Sequence, residues 1–154
     1  MRTTIVMFLG SCDDFSMTSS RNGVSIPEGG RVAIEATGRM EGTDYHVLVV
    51  IKNVGNQVVR FDRVDGSFYP GALDGQIVGQ STRAVVPGGV GPPNGMFELK
   101  PGKDEEFAFS TAGRTFLLGH DEKREPQFQI EIYRDGLGLA SMLSKPGLIG
   151  KLQF

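Results

Sequence analysis

Tryptophan is absent from this chain of 154 residues, cysteine occurs once and histidine twice. A single cysteine closes no internal disulfide, and one cysteine with two histidines, lacking H-x-H or C-x-x-C spacing, offers no zinc site. Charge of one sign is missing as well: 16 Lys and Arg face 18 Asp and Glu, for a net charge of −2, and no run of like charges exceeds three residues. Nucleic acid and anionic surfaces are recognised by clustered cations, so neither is implied as a partner. No apolar run approaches the roughly twenty residues that a membrane-spanning helix needs.

Catalytic signatures are missing too. Ser81 and Thr82 have no G-x-S-x-G context. Gly88, Gly89 and Gly91 suggest a phosphate cradle, yet no Lys-Ser/Thr follows, and the prolines around them cannot open the helix such a site uses. His46 lies in the most apolar segment, where a hydrogen-bonded structural histidine is expected. His120 lies in the mixed-charge run 119–125, which reads as a solvated turn. Asp62, Asp65 and Asp74 lack the spacing of a calcium loop, and the Asp-Gly pairs at 65–66 and 74–75 are turn formers. The sequence therefore implies a non-enzymatic protein, with no metal, no cofactor and no identifiable small-molecule substrate.

What the chain does have is 22 glycines, 8 prolines and 10 phenylalanines. Many turn residues around an apolar, Phe-rich remainder point to short strands, and the length suits one hydrophobic core. Period-two alternation is explicit at Val32, Ile34 and Ala36, at Val59 and Phe61, at Phe97 and Leu99, at Phe107 and Phe109, and at Phe128, Ile130 and Ile132. Residues 45–51 are apolar on both parities and predict a central strand covered on both faces. Breakers at 53–56, 65–66, 74–75, 101–102 and 135–136 separate these runs. The expected fold is all-β, an antiparallel β-sandwich. Residues 76–86 read as a strand pair, residues 137–144 as a short helix stopped by Pro146 and Gly147, and residues 148–154 as a closing strand.

Two motifs sharpen the fold expectation. One strand ends in Asn53-Val54-Gly55, and another ends in Leu99-Lys100-Pro101-Gly102 before a returning strand. Asn and Gly accept the left-handed conformation, and Pro-Gly presets a type II turn, read here as letting the two flanking strands pair. The pair of motifs resembles bacterial immunoglobulin-like domains of the cell-adhesion-related and proteinase-inhibitor types. That resemblance, over residues 30–133, implies an immunoglobulin-like sandwich and no particular activity. Residues 67–96 are longer than the resemblance requires.

The only cysteine follows Arg2, the apolar run Ile5, Val6, Met7, Phe8 and Leu9, and the small residues Gly10 and Ser11. This order resembles a bacterial lipoprotein signal peptide, with Leu9-Gly10-Ser11-Cys12 as the lipobox. The resemblance implies removal of residues 1–11 and acylation of Cys12, which anchors the chain at a membrane of the bacterial envelope. Several acyl chains grip a bilayer far better than one. Residues 12–29 then read as a polar tether and residues 30–154 as the sandwich domain. The alternative is that residues 4–9 form the first buried strand of a cytoplasmic protein and Cys12 is an ordinary buried thiol.

Within the long insertion, the aromatic turn at Phe68 and Tyr69 and the Gly/Pro loop containing Val86, Val90, Pro92, Pro93 and Asn94 form the candidate partner-binding region, since long loops in compact domains tend to carry function. The expected function is a lipid-anchored envelope domain that binds a protein partner through loops and strand edges. The alternatives are a soluble inhibitor or adaptor domain using the Gly/Pro loop, and a structural subunit that pairs a terminal strand with another chain.

Overall fold

The computed structural model describes residues 23–69, 76–83, 85–86, 89–90, 95–112 and 125–154, with only the backbone of 85–86 and 89–90. Fourteen strands are described: β1 Val24–Ser25, β2 Arg31–Glu41, β3 Asp44–Asn53, β4 Val59–Phe61, β5 Arg63–Tyr69, β6 Ile77–Val78, β7 Gln80–Ser81, β8 Val85–Val86, β9 Gly89–Val90, β10 Phe97–Leu99, β11 Asp104–Ser110, β12 Gln127–Arg134, β13 Leu137–Leu143 and β14 Gly150–Leu152. Every pairing among them is antiparallel, and the fold is a β-sandwich.

The first sheet runs β1-β2-β3-β11-β7, with β14 also along the free side of β2. The second runs β13-β12-β5-β6, and β4, separated from β5 only at Asp62, carries β10 as its partner. Alternation sends Val32, Ile34, Ala36, Val47, Val49, Ile51, Phe107 and Phe109 inward from the first sheet. Phe61, Val64, Phe68, Phe128, Ile130, Ile132 and Met142 meet them from the second. Two aromatic clusters fill the space between. Phe61, Phe97 and Phe107 have ring centroids 5.1–5.8 Å apart, and Phe128 lies 5.0 Å from Phe68 and 5.1 Å from Phe109. Gly66 makes that second cluster possible: a Cβ there would sit 2.7 Å from both Phe109 and Phe128.

Turn chemistry decides the hairpins. Between β2 and β3 the two-residue loop Gly42-Thr43 places Gly42 at φ 62°. Between β12 and β13, Asp135 and Gly136 both adopt positive φ, 52° and 79°, the requirement of a type I′ turn. That turn explains a correction: residues 137–143 form a strand, not the expected helix. The Asp-Gly hairpin hands them directly to β12, and ladder pairing outweighs the helix propensity of a short Leu/Ala/Met run that contains Gly138.

Other expectations change as well. β3 is central but covered on one face only, since Leu48 on the outer parity is 37% exposed. β6 and β7 do not pair with each other: β6 joins β5, β7 joins β11, and the chain changes sheets at Gly79, whose N–H donates to the Val64 carbonyl at 2.7 Å. Nor does the Pro101-Gly102 turn join paired strands, because β10 pairs with β4 and β11 with β3, so the turn arches from one sheet to the other. The folded body also begins before residue 30, with β1 on the edge of β2 and Val24 and Ile26 buried. The closing strand is present as β14, pairing at Ala36, Thr37 and Gly38 of β2.

The two quoted motifs turn out to be one unit. Asn53, fully buried, donates from Nδ2 to the carbonyls of Gln57 (2.7 Å) and Leu99 (2.8 Å), while its Oδ1 accepts the Gly55 N–H at 2.9 Å. Its main chain bonds the Pro-Gly arch through Lys103 O and Gly102 N, both at 2.9 Å. One side chain thereby ties the end of β3 to β10 across the sandwich.

Candidate functional site

The expected acylation site Cys12 lies outside the described residues, as do Pro92, Pro93 and Asn94 of the expected partner-binding region, and His120 and Asp74. Val86 and Val90 stand in the small β8–β9 hairpin, where Val86 pairs with Gly89 and Val85 with Val90. Phe68 is corrected from surface to core. It is 3% exposed, its ring packs on Phe128 and faces Tyr45 at 6.4 Å, and it cannot reach a partner while the domain is folded. Tyr69, one residue on, points the other way and is 40% exposed.

Tyr69 belongs to the outer face of the second sheet, which register assembles from four strands. Across β5 and β12, Tyr69 stands opposite Gln127, Ser67 opposite Gln129, Asp65 opposite Glu131 and Arg63 opposite Tyr133. Continuing into β13, Gln129 meets Leu143 and Glu131 meets Ser141, while Val78 of β6 flanks Asp65. Hydrogen bonds hold the rows: Gln129 Nε2 donates to Ser141 Oγ at 3.0 Å and Gln76 Nε2 to Glu131 Oε1 at 2.7 Å. The Arg63 guanidinium lies 4.6 Å above the Tyr133 ring, a cation–π contact, and its Nε is 3.0 Å from Asp65 Oδ1.

Asp65 is the electrostatic oddity of this face. It is buried at 3% exposure, and its Oδ1 has an ion-pair contact with Arg63 but no hydrogen bond. Burial raises its carboxyl above the usual aspartate range; Arg63 opposes the rise and Glu131 adds to it. Burial likewise raises the Tyr133 phenol, with the Glu131 charge next in weight. The result is a face with aromatic, amide, hydroxyl and one arginine contact, in which no described residue is a lysine. Such a composition suits recognition more than proton transfer.

No family model, no curated protein and no solved structure matches the chain. Function is therefore argued from the surfaces themselves. A concavity of about 800 Å³ lies against the first sheet and is lined in part by Thr37, Arg39, His46, Leu48, Ala108 and Ser110. There His46, opposite both Arg39 and Ser110, has Nε2 3.4 Å from Glu41 Oε1, and Arg39 bonds the same carboxylate at 2.7 Å. Ser110 Oγ accepts the Ala112 N–H. Glu41 thus draws Arg39 and His46, both of the groove lining, onto one carboxylate.

Among the described residues no three His, Cys, Asp or Glu side chains gather as metal ligands. Asp62 instead accepts the Asp135 N–H at 2.8 Å and so braces the β12–β13 turn. Sequence reasoning missed the second-sheet face because it exists only in register: its members come from four strands, and of them only Tyr69 had been assigned to partner binding.

Proposed function

We propose that this chain is a non-enzymatic domain of a bacterial envelope, immunoglobulin-like in topology, held at a membrane through acylated Cys12 and binding a protein partner with the outer face of β5, β6, β12 and β13. The observation that carries the binding reading is the composition of that face: Tyr69, Tyr133, Arg63, Gln127, Gln129 and Leu143, with charge confined to one arginine and two carboxylates. Protein interfaces favour Tyr and Arg over Lys, and this face carries two Tyr, one Arg and no Lys among its described residues.

The strand order supports the topological part. If β2, β3, β11 and β7 are labelled A, B, E and D, and β5, β12 and β13 are labelled C, F and G, the two sheets follow the A-B-E-D and C-F-G arrangement of immunoglobulin domains. The anchor rests on the order of residues 5–12 and on the polar, aperiodic residues that follow.

Site-directed photocrosslinking in the host tests the binding face. A crosslinker at Tyr69 or at Gln129 is expected to give the same discrete adduct, and one at Thr37 or Lys151 on the first sheet none. Absence of adducts at Tyr69 and Gln129, or equal labelling of both sheets, removes this reading. Intact mass spectrometry of the membrane fraction tests the anchor separately: loss of residues 1–11 with a lipid-sized mass on Cys12, abolished in Cys12→Ser, is expected. An unprocessed soluble chain beginning at Met1 refutes it.

A further inference from the structure

The outermost strand of the second sheet, β13, is bonded on one side only. Its partner is β12, and among the described residues no backbone group bonds its other edge. Which groups point outward follows from the ladder. Ser144 N donates to Phe128 O at 2.8 Å, and antiparallel hydrogen-bonded pairs alternate, so 142 with 130 and 140 with 132 are the next bonded pairs. The amides and carbonyls of Ser141 and Leu143 therefore face away from β12.

Natural sheet edges are blunted by charge, proline, brevity or a covering strand. The other borders of this sandwich use those devices. β1 and β14 line the free side of β2, and β6 and β7 are two residues long, with Arg83 just beyond β7. Residues 140–144 of β13 and its exit, Ala-Ser-Met-Leu-Ser, contain no charge and no proline, and Leu143 is 45% exposed. The bulge of this strand lies at Leu139 and Ala140, where the register shifts, so 140–144 stays regular.

We propose that this edge pairs with the same edge of a second copy of the chain, antiparallel, about a two-fold axis at Met142. In that register the amide and carbonyl of Ser141 bond Leu143 of the second copy and the reverse, which satisfies every outward group of the segment. The window is self-complementary. At one end the bulge at 139–140 interrupts the strand, and at the other the chain departs at Lys145, whose N–H bonds Gln153 O at 2.6 Å. A two-fold at Met142 sets the departure of one copy against the bulge of the other. Side chains agree, because small Ser141 faces the exposed Leu143 and Ala140 faces Ser144. Charge also permits it: the paired segments are neutral and each copy carries only −2, so like-charge repulsion is slight. The two second sheets then become one continuous sheet, independently of whether their outer face binds a different partner.

The test uses the full chain carrying Cys12→Ser, which removes both acylation and an intermolecular disulfide as routes to association. Sedimentation equilibrium is expected to show a dimer whose Ser141 and Leu143 amides are protected from hydrogen exchange. Leu143→Lys and Ser141→Pro should be monomeric with circular dichroism unchanged, the amide at position 143 exchanging freely in both and that of Ser141 exchanging freely in Leu143→Lys. Leu137→Lys, also on β13 but outside the window, should remain dimeric. If Ser141→Pro fails to fold, Leu143→Lys decides. A chain that stays monomeric at every attainable concentration overturns the proposal. So does a dimer that survives Leu143→Lys, or one in which the Ser141 and Leu143 amides exchange freely.

Discussion

Removing the Asn53 side chain should loosen the sandwich where its two sheets are tied. In Asn53→Ala the Leu99 carbonyl loses its side-chain donor in a buried setting, whereas Gln57 O and Gly55 N–H lose theirs near solvent. A buried polar group left unmatched costs about 1–3 kcal/mol, and each of the two part-buried hydrogen bonds about 0.5–1.5 kcal/mol, for a total of about 2–6 kcal/mol. Asn53→Asp keeps the acceptor for Gly55 but loses both donors and sets a carboxylate against two carbonyls, so it should be at least as damaging. The assay is equilibrium urea unfolding, where a slope of about 2 kcal/mol per molar turns that loss into a midpoint lower by about 1–3 M. The slope itself should not change. If Asn53→Ala unfolds within about 0.5 kcal/mol of the parent, the size of an unremarkable surface substitution, Asn53 does not tie the sheets and the reasoning is wrong.

Gly66→Ala pushes a methyl group between Phe109 and Phe128, and overpacking of this kind should cost about 1–3 kcal/mol, read as a lower melting temperature. At Gly38 a Cβ would overlap the Leu148 carbonyl, so Gly38→Ala should displace the segment leading into β14, detected as faster exchange of the Leu152 amide with little change at Ile130. Asp65 binds its proton more tightly folded than unfolded, so stability should rise as pH falls from neutrality through its raised pKa and level off below the ordinary aspartate value. Asp65→Asn should remove that increment, and an unchanged pH profile would show that burial does not perturb this carboxyl.

Strands were legible wherever one face was wet. Val32, Ile34 and Ala36, or Phe128, Ile130 and Ile132, announce themselves because polar neighbours mark the other parity. The same logic failed at residues 137–143, where a run of small and apolar residues has no wet parity and only the Asp135-Gly136 turn carries the information. It failed again at Phe68, because the inward neighbour two positions back is Gly66 and the alternation Val64, Gly66, Phe68 loses its middle term. Turn chemistry identified the Pro-Gly arch but not its destination: a local conformation does not encode which sheet receives the next strand. The outer face of the second sheet was illegible for the same reason, since placing Arg63 beside Tyr133 or Asp65 beside Glu131 requires the register of strands that lie far apart in the chain.

The pairing of β14 with β2 has a consequence in time. β2 and β3 form a hairpin that can close as soon as both are made, yet the side of β2 at Ala36, Thr37 and Gly38 waits for residues 150–152, which follow every other described strand. During that interval the first sheet has a bare flank at these three positions, while β1 already covers Arg31 and Val32. The flank of the β2–β3 hairpin is therefore completed from the far end of the described strand order, so its pairing is gated by the emergence of residues 150–152 rather than by the hairpin itself.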